Sequence, residues 1–421
     1  MKKIGLSWAS VSSVTHKHLD HLGGFITSGF RSSLFYNQGW GDVAFFESVL
    51  SSIMPTLREK RLGIPHHPLL STSTSFAQAG GSSQWHCVGM QLHAANSQGA
   101  SMVLKESVFP SHPKIPDIQW TAWKRPVSAL PLGNSVRQGF FREGTFESPA
   151  YEALKKFCRE DLLPQESRMA RFLIASPSEN LDPSVPFVVL LAGTGEHTYS
   201  RRLRAIAQPL LSQGIGSIIL ENAFYGRRKP LGQIGAKLFR VSDLLSLGYA
   251  TIEEARALLA WLYSHGYRRL CVSGASQGGL HAAMAASLFP YPVAVVASLA
   301  PDSASFVFTK GILSNNVNWN ALSADPSGVC SLPVADAGST QAERSVHTCR
   351  SLCSPQQAAL CQLQGTLELT NIENFPLPVN PRLAVLISGD SDAYIDRLSP
   401  DRWKQHWPWM HIRQIRAGHV S

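Results

Sequence analysis

A chain of 421 residues with 44% hydrophobic side chains carries enough apolar material for one large core, and its length also accommodates two domains. Lysine and arginine number 38 against 29 aspartates and glutamates, a formal net charge of +9. The excess is dispersed, with no basic run of nucleic-acid density and no RNA- or DNA-binding signature, so no nucleic-acid partner is expected and a solvated basic surface accounts for the charge. Seven cysteines, an odd number in a chain of this size, indicate reduced thiols rather than a disulfide framework. His347, Cys349, Cys353 and Cys361 share a polar loop but lack paired C-x-x-C units, so no metal site is expected there, and no cofactor elsewhere. The most apolar stretch, residues 270–300, is interrupted at Ser276 and by Pro290 and Pro292, which leaves no span of membrane length. The expectation is a soluble protein, or one with peripheral membrane contact.

Residues 1–40 are serine-rich and set Lys2, Lys3, Lys17 and Arg31 against a single acid, Asp20. They lack the apolar centre of a secretory signal; a transit peptide to mitochondria or another organelle and an ordinary disordered start both fit. Within them His16, His18, Asp20 and His21 imitate the H-x-H-x-D-H loop of metallo-β-lactamases, where such residues hold zinc and orient water. That loop requires several strands ahead of it, for which about fifteen residues are too few. His66, His67, His86, His93 and His112 lie in aperiodic sequence and do not complete a ligand set. The match is read as local coincidence.

A helical period over residues 42–60 completes an N-terminal segment, 1–64. Residues 65–135, rich in histidine, serine, glycine and proline, read as a low-order insert. Order returns near Gly139, and 136–421 reads as one domain. MARFLIA (169–175), VPFVVLL (185–191), IGSIILE (215–221), the run before Ser276, VAVVASLAP (293–301), RLAVLISGD (382–390) and MHIRQIRA (410–417) read as strands. Helical stretches lie between most of them, at 201–214, 243–266, after Ser276 and at 397–407. Apolar strands alternating with helices imply an α/β fold: a mostly parallel sheet with helices on both faces and long polar inserts. Residues 303–322 read as an ordered cap segment and 322–371 as a variable loop.

The chemistry centres on Gly274, Ala275, Ser276, Gln277 and Gly278, a G-x-S-x-G between a strand and an alanine-rich helix. This is the context of a nucleophile elbow: the serine is lifted out of a strained turn, small residues two positions away avoid collision, and the helix N-terminus faces any oxyanion. A serine nucleophile needs a base, a carboxylate to hold that base, and N–H donors. In an α/β hydrolase these follow in the order serine, acid, histidine, each just past the end of a strand. Asp392 and His419 occupy those places, with Asp390 and Asp396 as rivals for the acid. The oxyanion donors are expected at the backbone of Gln277 and of Thr194, in the A-G-T-G turn after residues 185–191. Arg201, Arg202 and Arg204, with Arg227, Arg228 and Lys229, fall where ligands enter such a sheet, and guanidinium groups pair bidentately with phosphate. Arg201, Arg202, Arg227 and Arg228 are therefore candidate binders of an anionic headgroup; the competing reading is salt bridges to Glu196 and Glu221.

The motifs LLAGTGEHTYSRR, ILENAFYGRRKP, VSDLL, SGASQGGLHAA, FTKGILSNNVNWNAL, SDAYI and AGHVS, with FYNQGWG upstream, resemble the alpha/beta-hydrolase domain-containing protein 18 family. The resemblance covers about residues 136–321 and 376–421. It implies a serine hydrolase with its triad on Ser276, Asp392 and His419, acting on a small-molecule or lipid acyl ester, a mitochondrial phospholipid being one candidate. A non-catalytic relative that binds a ligand or partner is the alternative. The family's last helix has no counterpart after His419, so the loop carrying it is expected to be loose.

Overall fold

The computed structural model describes Asp20 and residues 34–46, 109–124, 139–325 and 354–420. Among these residues the apolar runs become strands of a single nine-stranded sheet. In chain order they are β1 (Gln119–Trp120), β2 (Phe140–Glu147), β3 (Met169–Ser176), β4 (Phe187–Leu191), β5 (Gly216–Glu221), β6 (Leu270–Ala275), β7 (Ala294–Ser298), β8 (Ala384–Gly389) and β9 (His411–Ile415). Their spatial order is β1-β2-β3-β5-β4-β6-β7-β8-β9. From β5 to β9 every pairing is parallel, while β1, β2 and β3 add an antiparallel edge. The chain has the α/β-hydrolase fold.

The helices are α1 (Pro149–Lys156), α2 (Ser200–Arg202, continued by a π-helical turn, Leu203–Ala207, and by Gln208–Ser212), α3 (Val241–Ser264), α4 (Gln277–Leu288), α5 (Ala304–Thr309), α6 (Trp319–Ala324), α7 (Pro355–Leu367) and α8 (Ser399–His406). A parallel sheet needs cover on both faces, and the sequence supplies it in two ways. Helix α3 is apolar around most of its circumference and is buried along nearly its whole length. Helix α4 is built from alanine and glycine, so its backbone lies close to β6 and β7. Strands β4 and β5, buried throughout or nearly so, have the unbroken apolar character of central strands, whereas β9 ends the sheet with mostly exposed side chains.

Two expectations change. Part of the stretch read as a low-order insert is ordered sheet and core: β1 pairs with β2, Trp120 stands edge-on to Phe172 at 5.3 Å, and buried Phe109 meets Tyr249 at 5.2 Å. Aromatic side chains spaced without a period bury large areas one at a time, which a pattern search does not see. Likewise, part of the variable loop is the helix α7. Its start is fixed by a capping box, in which Ser354 Oγ accepts from Gln357 N at 3.3 Å and Gln357 Oε1 accepts from Ser354 N at 3.1 Å. Leu363 and Leu367 then pack it into the core beside α5 and α6. The expected helix over 42–60 is described only at its start, and His16, His18, His21, His347, Cys349 and Cys353 lie outside the described residues.

Candidate active site

Strand β4 has β5 on one side and β6 on the other, so the chain's path reverses between them and the loops leaving β4 and β6 diverge. A crevice opens at the carboxyl ends of the strands at such a point. Ser276 sits there, between β6 and α4, with φ 56° and ψ −125°. This is a conformation that costs on the order of 1–3 kcal/mol for a residue with a side chain. The flanking glycines explain how the turn is reached. A Cβ on Gly274 would lie 2.4 Å from the Gly278 carbonyl carbon, and one on Gly278 would lie 2.7 Å from the carbonyl oxygens of Leu191 and Ala192. The turn is pinned by Ser276 N donating to Ser298 O at 2.8 Å.

Two neighbouring parallel strands deliver the other groups. The loop after β8 carries Asp392 and the loop after β9 carries His419. His419 Nε2 lies 2.9 Å from Ser276 Oγ, and its Nδ1 lies 2.7 Å from Asp392 Oδ2. Asp392 Oδ1 accepts from the backbone of Tyr394 (2.8 Å) and Ile395 (3.1 Å), which fixes the carboxylate and leaves Oδ2 for the imidazole. With Nδ1–H donated to Asp392, the Nε2 lone pair faces the serine hydroxyl. Tyr394 stacks on the imidazole at 4.4 Å and 22°. The rival acids are committed elsewhere: Asp390 accepts from Ser391 Oγ, and Asp396 pairs with Arg402 at 2.9 Å. The His419 loop has anchoring bonds of its own. The N–H groups of His419 and Val420 both donate to the buried carboxylate of Asp20, at 2.8 and 3.0 Å. Asp20 is thus brought to the site although its sequence setting pointed to a metal loop.

The Gln277 amide is the first of α4 and has no acceptor within the helix. Thr194 stands opposite, in the turn after β4, and its hydroxyl donates to Gln277 Oε1 at 3.1 Å, tying the two turns together. Beside Ser276 opens a cavity of about 80 Å³ whose lining includes Leu244, Leu245, Ile252, Leu280, Met284 and Phe308. His281, one helical turn beyond the serine, also lines it. Burial pushes the His281 imidazole down to about 4, so the cavity wall is uncharged at neutral pH. Sequence reading passed over His281 because a lone histidine in an alanine-rich helix carries no local signal.

The arginines take the salt-bridge alternative. Arg228 is fully buried and holds Glu254 bidentately, at 2.5 and 2.8 Å, while two further terminal N–H groups donate to Glu221 O and Ser167 O. Buried Arg202 pairs with Glu196 at 3.0 Å and donates to Leu190 O and Leu220 O. These two side chains are committed inside the fold, so the headgroup expectation for them is corrected. Arg227, about half exposed, binds Glu143, Glu221 and Tyr199. Arg201 is exposed at the start of α2. Among the described residues no cluster of three or more histidine, cysteine, aspartate or glutamate side chains has the geometry to hold a metal ion.

A family model described as alpha/beta hydrolase domain containing 18 matches residues 104–421. Among solved structures, Est1E from Butyrivibrio proteoclasticus, with ferulic acid bound, is 15% identical over 60% of this chain and 88% of that chain, with a TM-score of 0.37. An acetyl xylan esterase from Paenibacillus sp. R4 is 14% identical over 73% of this chain and 84% of that chain, with a TM-score of 0.40. Acetyl xylan esterase 1 from Thermoanaerobacterium sp. JW/SL YS485 is 13% identical over 72% and 83%, with a TM-score of 0.41.

Two predictions follow from the buried charges. Replacing Arg228 by alanine leaves the buried Glu254 carboxylate with the Ser148 hydroxyl but no cation, and chemical denaturation should register a loss of about 3–5 kcal/mol; a loss below 1 kcal/mol would mean the pair is not a structural element. For His281 the folded value lies below the ordinary 6.5, so the unfolded chain takes the proton first. Its contribution is therefore fully present above pH 6.5 and drains away as pH falls toward 4. Against wild type, His281→Leu should gain about 1.4 kcal/mol per pH unit across that window. Urea melts of the two proteins at several pH values measure this, and the comparison cancels the opposite contribution of Asp243, which burial raises to about 6.

Proposed function

Since the chain belongs to the alpha/beta hydrolase domain containing 18 family, we propose that it is a serine hydrolase that cleaves a carboxylic ester, an acyl ester of a lipid, through an acyl-enzyme on Ser276. The observation that carries this reading is the unbroken chain from Ser276 Oγ to His419 Nε2 (2.9 Å) and from His419 Nδ1 to Asp392 Oδ2 (2.7 Å), anchored on a strained turn. In the proposed mechanism Ser276 Oγ attacks the ester carbonyl carbon while its proton passes to His419 Nε2. The carbonyl π pair moves onto oxygen, and that oxyanion is held by the amides of Gln277 and Thr194. Asp392 stabilises the imidazolium through Nδ1–H without taking its proton. Collapse of the intermediate restores the carbonyl and expels the alcohol, which leaves with the proton from Nε2. Water, deprotonated by the same nitrogen, then attacks the acyl carbon; the acid departs and Ser276 regains its hydroxyl proton.

The cavity beside the serine supports an acyl substrate. Its walls are apolar and neutral, and its volume of about 80 Å³ is roughly half that of an apolar cavity that holds benzene. A methylene added to the acyl chain should therefore raise kcat/KM roughly fourfold while it still finds space, since burying one is worth about 0.8 kcal/mol. A lipid surface is the proposed partner. Leu231 is 93% and Ile234 63% exposed on the loop between β5 and α3, beside Lys229. That loop packs on the A-G-T-G turn, where a Cβ on Gly195 would lie 2.8 Å from Ala236 Cβ. Exposed apolar side chains next to a cation match an anionic bilayer.

Three measurements test the reading. A fluorophosphonate probe should label the wild-type chain at Ser276, and Ser276→Ala should lose the label together with on the order of 10^5-fold in kcat. An unlabelled wild type would leave the non-catalytic alternative. A series of p-nitrophenyl esters from acetate upward should climb and then level off; a flat series would detach the cavity from the acyl group. Co-sedimentation with vesicles of anionic phospholipid should weaken about tenfold for each of Leu231→Ser and Ile234→Ser. Equal binding by the variants would remove the lipid surface from the proposal.

A further inference from the structure

The base and its acid partner sit on two loops at one edge of the sheet. Strand β9 is an edge strand with mostly exposed side chains, and among the described residues only β8 pairs with it. Backbone bonds between the two loops include Ser391 N to Ala417 O at 3.1 Å, and a further bond joins Asp390 N to the end of β9, Ile415 O, at 3.0 Å. Beyond Ala417 the ladder has stopped, and the amides of His419 and Val420 need another acceptor.

Asp20 supplies it. Its side chain is 0% exposed. Oδ1 accepts from His419 N at 2.8 Å and Val420 N at 3.0 Å; Oδ2 accepts from His419 N at 2.8 Å and from Ala393 N, next to the acid, at 3.1 Å. One carboxylate thus bridges both loops, across 373 residues to one and 399 to the other. The Asp20 carbonyl also accepts from the hydroxyl of Tyr394, the ring that stacks on His419, at 3.4 Å.

We infer that Asp20 is a positioning residue: its carboxylate clips the Asp392 and His419 loops together and so sets the distance from His419 to Ser276. The inference rests on the serine-hydrolase reading. Aspartate suits the task because an ionised carboxylate is an acceptor with about four lone-pair sites, and its bonds to N–H groups are charge-assisted. Here four N–H···O contacts from three amides use those sites. That occupancy also removes Asp20 from the metal loop its histidine-rich setting imitates. Without N–H partners a buried carboxylate would be costly, so the acid and the two loops order one another. The consequence for catalysis is geometric, since a displacement of about 1 Å of a reacting group costs on the order of a hundredfold in rate.

The test compares full-length wild type with Asp20→Ala and Asp20→Asn, reading steady-state kinetics on p-nitrophenyl butyrate, the rate of fluorophosphonate labelling, and amide hydrogen exchange. Asp20→Ala should lower kcat and labelling about a hundredfold while KM stays within about twofold. Peptides covering 384–397 and 411–421 should exchange about tenfold faster or more, with α3 unchanged. Asp20→Asn keeps one oxygen acceptor and should fall between the two. Wild-type kcat with unaltered loop exchange in the variants overturns the inference. So does faster exchange spread over the whole molecule, α3 included, which would make Asp20 a general folding determinant. If Asp20→Ala does not fold, Asp20→Asn is judged by the same two criteria, and failure of both to fold counts as the general role. A wild type that does not label removes the hydrolase reading, while the exchange arm still decides whether Asp20 clips the loops.

Discussion

The backbone of Ser276, held at φ 56° between two glycines, is the constraint around which the surrounding residues are chosen. A turn this tight tolerates nothing larger than hydrogen where Gly274 faces Gly278, and Gly278 in turn lies against the carbonyls that end β4. The neighbours are accordingly small: Ala192, Ala275, and Ala300, whose Cβ would come within 2.9 Å of one on Gly279. Strain of about 1–3 kcal/mol persists only where the surroundings leave no alternative. Here β4, β6 and α4 are packed too closely for the turn to relax. The same closeness sets the N-terminus of α4, with the positive end of its dipole, beside the serine.

On the other side of the crevice the constraint is not strain but buried backbone carbonyls that accept from arginine side chains. Backbone oxygens at Leu190 in β4, at Leu220 and Glu221 in β5, and at Ser167 just before β3 accept from guanidinium groups. Arginine suits that role because its planar fork carries five donors and stays charged, so one side chain satisfies two carbonyls and a carboxylate at once. Arg202 does this behind the A-G-T-G turn and Arg228 behind the loop after β5. Their position at the carboxyl edge of the sheet is what a phosphate-binding arginine would also have. Only burial separates the two uses.

That limit describes how far the sequence could be read. Central strands and the helices between them were legible because burial on both faces leaves unbroken apolar runs, and the elbow was legible because its sterics demand glycine at fixed spacing. Asp392 and His419 followed from their places after strands. The antiparallel edge was harder: β1 contributes two residues and its fixing partners are aromatic rings from distant segments. Helix α7 has too many polar residues for a clear apolar face. The arginines were correctly placed along the chain, but the depth of a side chain is a property of everything folded over it. Asp20 was the least legible, since its partners are backbone amides, which have no sequence signature, and the histidines around it favoured another reading.

An edge strand is an odd place to carry a base, because residues beyond it have few neighbours and each unfixed residue retains about 1–2 kcal/mol of conformational entropy. The His419 loop must give up that freedom for its imidazole to stay 2.9 Å from the serine. Bonds within the loop cannot achieve this alone, since they would move with it. An anchor has to come from outside the β8–β9 pair, and the carboxylate reaching in from 399 residues away in sequence is such an anchor. Closing a loop of that length costs entropy that its contacts must offset, and the four N–H···O contacts to one carboxylate are concentrated there. The distance from base to serine is therefore set jointly by the loops after β8 and β9 and by Asp20, a residue remote from both in sequence.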